Sequence, residues 1–233
     1  MATETSVQRS TSVTVSRWWH GVIAAVILAS LVIQLVLIFT GGADANSGDE
    51  GESISIGVRL WRLFSFFTIE SNLIVLAAAL LLVLRPDRDG TSWRVLRLDA
   101  LLGILITGLV FAIVLAPQVH LTGAALVATI GFHYISPWAT LLAWLLLGPR
   151  PRMTWTTVLA AFVWPVLWLV YIFTQAPSPT GTRTPSWTPP TWASPPPSAT
   201  PFFVLVLGIL CATTFKLLDS KLPTIDHLRW FRS

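Results

Sequence analysis

The stretch "FFTIESNLIVLAAALLLVL", Phe66 to Leu84, decides the fold and raises the functional question. From Leu73 onward it is wholly apolar. A bilayer core of about 30 Å needs roughly 20 apolar residues of helix. The run therefore reads as a membrane span that begins with four polar side chains: Thr68, Glu70, Ser71 and Asn72. Polar and ionisable groups at membrane depth are expensive and face a protein interior or a watery cavity.

Composition points to lipid as the solvent. The chain of 233 residues is 54% hydrophobic and only 11% charged, where a soluble domain carries about a quarter charged residues. The net charge of +4 forms no basic stripe of the kind nucleic acid requires, so a nucleic-acid partner is not expected. The single cysteine, Cys211, excludes a disulfide framework within the chain and a cysteine-based metal site. Several of the twelve tryptophans sit near run ends, where an interfacial belt places them.

Five further runs resemble the one at Phe66. The expected fold is all-α: a polytopic bundle of six transmembrane helices. The spans are expected at about 18–40, 63–84, 98–116, 123–147, 154–173 and 202–218, with polar tails over 1–17 and 219–233. The first lacks a small-residue cleavage site and reads as a retained span rather than a removed signal. Lys and Arg fix the orientation. Of fifteen, only Arg59, Arg62 and Arg183 fall on one side; the other twelve cluster at the N-terminal tail, the second-to-third and fourth-to-fifth connections, and the C-terminal end. The positive-inside rule puts both termini in the cytoplasm.

Helical spacing sorts the polar groups. Residues three, four or seven apart share a face, so Ser65, Thr68, Ser71 and Asn72 form one stripe and Glu70 points elsewhere. Span four contributes His133, with Pro137 one turn later to kink the helix. On the rise of 1.5 Å per residue, Thr68 and His133 lie on the order of 10 and 15 Å deep from the same side. A threonine hydroxyl next to a neutral histidine is an activated nucleophile, and Asn72 N–H groups could meet an oxyanion. The alternative is structural: Ser, Thr and Asn also bond backbone and neighbouring helices, and Glu70 could pair with Arg59 or Arg62. One membrane His and one Glu are too few for a metal site, and no cofactor fingerprint is present. In span five Trp164, Trp168 and Tyr171 share a face, which reads as packing or as the wall of an acyl-chain groove.

The segments "FFTIESNL", "TGLVFAIVLAP" and "FHYISPWATLLAWLL" together resemble the bacterial six-span "Pr-six-Pr" membrane proteins. They are more distantly similar to the androgen-induced six-span proteins of animals. The bacterial resemblance covers most of the chain from span two onward and implies a bacterial plasma membrane. The animal proteins are intramembrane threonine hydrolases acting on fatty-acyl esters. That resemblance implies Thr68 as nucleophile and His133 as its base, with an apolar substrate met by Asn72, Ser71, Glu70, Trp164, Trp168 and Tyr171. The rival readings are a small-amphiphile carrier using the same polar patch, and a non-catalytic scaffold; no internal repeat with paired broken helices supports a carrier.

The segment Ala176–Pro201 departs from this pattern. Nine of its 26 residues are proline, which excludes helix and paired strand. Taken as it stands, it is a solvated, polyproline-like outer loop. The six-span relatives carry a "WYPYPFLD"-like motif there. Read from the third base of each codon, with permitted choices at degenerate positions, Pro177 to Thr191 can encode "LTDWYPYPFLDPAD". The expectation is that one base was lost after Gln175 and the frame restored near Thr200 or Pro201. Sequencing the gene tests this: the codons are expected to spell the motif in the shifted frame, and codons that do not spell it refute the idea.

Overall fold

The computed structural model describes residues 2–48, 55–148, 150, 152–175 and 199–222. Most of the proline-rich segment, with the frame-shift reading that rests on it, lies outside them. So do the C-terminal residues from 223 and the side chains of residues 2–12.

The described residues are all-helical, and every element follows from an apolar run and its punctuation. Helix α1 runs Ala2–Thr40, α2 Ile56–Ser65, α3 Phe67–Leu84 and α4 Thr91–Val110. Helix α5 (Gly123–Ile130) leads into α6 (Ser136–Leu146), α7 (Trp155–Ala161) into α8 (Val163–Gln175), and α9 spans Ala199–Lys221. Five helical stretches are long and apolar enough to cross a membrane: Val13–Thr40, Phe67–Leu84, Thr91–Leu115, Gly123–Leu146 and Trp155–Ile172. They match five of the expected spans; the expected stretch 202–218 falls within α9, which is not among these five. Large apolar side chains such as Leu84, Ile113, Leu146 and Leu159 lie about 70% exposed. Such outward-facing apolar surface suits a lipid environment.

Three differences from the sequence reading matter. The second run is broken. A short helix, α2, ends at Ser65, and Phe66 takes an extended conformation before α3 begins at Phe67. Helix α2 is amphipathic, with Arg59 and Arg62 among apolar residues, so it reads as an element lying beside the bundle rather than through lipid. Arg59 bends back and donates to the carbonyls of Ile38 and Gly42, both at 2.6 Å. It thereby satisfies carbonyls that the end of α1 leaves without helical partners. The third span starts earlier than expected, so Arg94 and Arg97 belong to a helix and Arg97 is buried. His20 also lies inside a span and is buried, its Nδ1 2.7 Å from the Ser16 carbonyl. Two buried histidines, His20 and His133, thus lie within candidate spans.

Two spans contain a π-helical turn: Phe111–Leu115 continues α4, and Gly131–Ile135 joins α5 to α6. The expected bend near Pro137 takes this second form, with the proline at the start of α6. Small residues bring these helices close. A Cβ on Gly108 would sit 2.9 Å from Cβ of Pro137, and one on Gly131 would overlap Ser30 Oγ.

Glycine at 108 is thus a packing requirement. Gly108→Ala is expected to destabilise the protein by about 1–3 kcal/mol through overpacking against a rigid proline ring. Gly57→Ala, where a Cβ meets nothing within 4 Å, is expected to be neutral or stabilising. Thermal unfolding in detergent measures both. Equal stability of the two variants contradicts this packing.

Candidate active site

The break after Ser65 places Thr68 in the first turn of α3. The Phe66 carbonyl accepts from Ile69 and Glu70 N–H at 2.9 and 3.1 Å. The N–H groups of Phe67 and Thr68 make no backbone hydrogen bond among the described residues. They form part of the positive end of the helix dipole.

His133 meets Thr68 here. Its Nε2 lies 3.2 Å from Thr68 Oγ1, and its Nδ1 lies 3.2 Å from the carbonyl of Thr129, one turn earlier on the same chain. A carbonyl oxygen has no hydrogen to give, so Nδ1 carries the proton and donates. In the neutral imidazole Nε2 is then a lone pair, and the Thr68 hydroxyl donates to it. No carboxylate is needed to choose the tautomer. The Thr129 hydroxyl in turn donates to the Ala45 carbonyl, which ties this turn to the loop after α1.

Both π-helical turns converge on the pair. His133 lies within one; Phe111, at the start of the other, stacks on its ring at 3.9 Å between centroids and 22° between planes. His133 is buried and Thr68 half-buried. π-Helical turns occur frequently at functional sites.

Asn72 has a different role from the one its type suggests. Its Nδ2 donates to the Thr68 carbonyl at 2.8 Å and to the Phe132 carbonyl at 3.3 Å. Both amide hydrogens are committed, so it does not serve an oxyanion. It clamps the backbone of the Thr68 turn to the residue before His133, which fixes the distance between the pair.

The remaining expected residues divide. The polar stripe does not share one face: Thr68 and Asn72 face His133, Ser71 packs against Gly103 of α4, and Ser65 belongs to α2. A Cβ on Gly103 would lie 2.9 Å from Ser71 Oγ and 3.0 Å from the Trp164 ring. Glu70 pairs with neither Arg59 nor Arg62; its Oε2 accepts from the Trp164 indole N–H at 2.9 Å. Trp168 donates to the Ser65 carbonyl at 3.0 Å, and Phe67 stacks on the Trp164 ring at 4.9 Å and meets the Trp168 ring edge-on at 5.0 Å. The Tyr171 hydroxyl lies 2.8 Å from Ser65 Oγ. The aromatic face of α8 therefore clasps the broken end of α3. Beside the break opens a groove of about 410 Å³ lined by Leu60, Trp61, Phe64, Ser65, Glu70 and Tyr171.

Sequence reasoning missed Phe111 and the part played by the Thr129 carbonyl. An isolated apolar ring carries no signal of its function, and a backbone carbonyl is invisible to residue type. Among the described residues, no group of three or more His, Cys, Asp or Glu side chains could hold a metal ion. Comparison with family models, curated proteins and solved structures finds no match to this chain.

Proposed function

We propose that this chain is a six-span integral protein of a bacterial plasma membrane, with both termini cytoplasmic, that hydrolyses lipid-like acyl esters. The sixth span in this reading is α9, over about 202–218. The distribution of Lys and Arg supports the orientation. The observation that carries the activity is the Thr68 hydroxyl hydrogen-bonded to the lone pair of a histidine whose tautomer is set by the Thr129 carbonyl.

The reaction follows from these groups. Thr68 Oγ1 attacks the ester carbonyl carbon as its proton passes to His133 Nε2. The oxyanion forms beside the first turn of α3, where the unpaired N–H groups of Phe67 and Thr68 are the nearest fixed donors on the nucleophile's own helix. The C–O bond of the ester then breaks, and the leaving alcohol takes the proton back from His133. The acyl group is left esterified to Thr68. Water, deprotonated by His133, attacks that ester; the acid leaves and the Thr68 hydroxyl is restored. The imidazolium formed in each half-reaction is stabilised by its Nδ1–H bond to the Thr129 carbonyl, which orients the ring through both steps.

Thr68→Ala is expected to reduce hydrolysis of a long-chain acyl ester by roughly 10³-fold or more, while Thr68→Ser keeps measurable turnover because the hydroxyl survives. The assay is ester hydrolysis by purified protein in lipid nanodiscs, with thermal stability as the control for folding. Hydrolysis by a folded Thr68→Ala variant at the parent rate refutes the assignment.

A further inference from the structure

The groove beside the helix break has an electrostatic character that the Thr68–His133 pair does not explain. Its walls are Leu60, Trp61 and Phe64 from α2, Ser65 and Glu70 from either side of the break, and Tyr171 from α8. Trp61 and Phe64 are 40% and 48% exposed, so the apolar wall is open to an incoming ligand.

The hydrogen bonds fix what the polar members offer. Ser65 Oγ donates its one hydrogen to the Trp61 carbonyl at 2.8 Å. The contact between Ser65 Oγ and Tyr171 must then be donated by the tyrosine. The phenol oxygen is left with lone pairs alone. Glu70 accepts from Trp164 on one oxygen, and its other oxygen makes no hydrogen bond among the described residues. Trp61 adds a neutral indole N–H. Glu70 is the one formally charged residue in the lining; neither Arg59 nor Arg62 belongs to it, and Arg59 is committed to two carbonyls. Three aromatic rings, from Trp61, Phe64 and Tyr171, line the same groove, and ring faces attract cations.

We propose that this groove binds a cationic amphiphile: a primary ammonium head held by Glu70, the Tyr171 oxygen and the aromatic faces, with an aliphatic tail along Leu60 and Phe64. The inference does not rest on the hydrolase reading, because Thr68 is not part of the lining.

The test is calorimetric titration of the full chain in zwitterionic nanodiscs, corrected for empty discs, with dodecylammonium and dodecyl sulfate. The parent protein is expected to bind the ammonium at least about tenfold more tightly than the sulfate. Glu70→Gln keeps an oxygen for the Trp164 indole and removes the charge; it is expected to bring the two affinities within about twofold. Phe64→Lys, at an exposed position of the wall, is expected to invert the preference, and it covers the case in which Glu70→Gln fails to fold. Thr68→Ala is expected to keep the parent preference, whatever its effect on ester hydrolysis. Equal affinities in the parent, no binding above empty discs, or a preference that survives both charge changes overturns the proposal.

Discussion

A backbone carbonyl sets the tautomer of the buried histidine on which the proposed site depends. The oxygen of Thr129 can only accept, so it holds the proton on Nδ1 of His133 and turns the Nε2 lone pair toward Thr68. In hydrolases with a carboxylate partner, that group has two tasks, orientation and charge stabilisation. A carbonyl performs the first without placing a second charge in lipid, where a buried charge is costly. The rest of the site supports this arrangement. Asn72 ties the two chain segments together, Phe111 covers the ring, and Thr129 is anchored to Ala45.

The second constraint is the broken helix. Within hydrocarbon every backbone N–H and C=O needs a partner, so a break is tolerated only where protein supplies one. Here Trp168 donates to the Ser65 carbonyl, and Arg59 satisfies carbonyls at the end of α1. The break brings a helix N-terminus and the Thr68 hydroxyl to the same turn. It also opens the groove between α2 and α8. Polar residues at the head of span two are thus consistent with a helix that starts inside the bundle, and this answers why Thr68, Glu70, Ser71 and Asn72 precede the apolar run.

Much of this was legible in the residues. Apolar length alone located five spans to within several residues, because lipid imposes a simple length rule. The polar stripe and the family resemblance single out Thr68 and His133, and the structure brings the two within 3.2 Å. The division of the stripe was not legible. Helical spacing supposes one continuous helix from Leu63, whereas the extended conformation of Phe66 separates Ser65 from Thr68; Ser71, about 100° round α3 from Asn72, meets Gly103 instead of His133. Residue type alone makes Asn72 a free donor, because a sequence does not show which carbonyls lie within reach. Phe111 and the Thr129 carbonyl were beyond residue-type reasoning, since their role comes from two π-helical turns that meet in space. Arg97 falls outside the expected third span for a related reason: a helix carried past its apolar core buries a polar residue that hydropathy assigns to a loop.

The most direct measurement of the central claim is covalent labelling of membranes with a fluorophosphonate, which reacts with activated hydroxyls. The parent chain is compared with Thr68→Ala and His133→Ala. Labelling of the parent and loss of labelling in both variants are expected, with the adduct mapped to Thr68. Labelling that persists without His133, or an adduct on another residue, contradicts that claim.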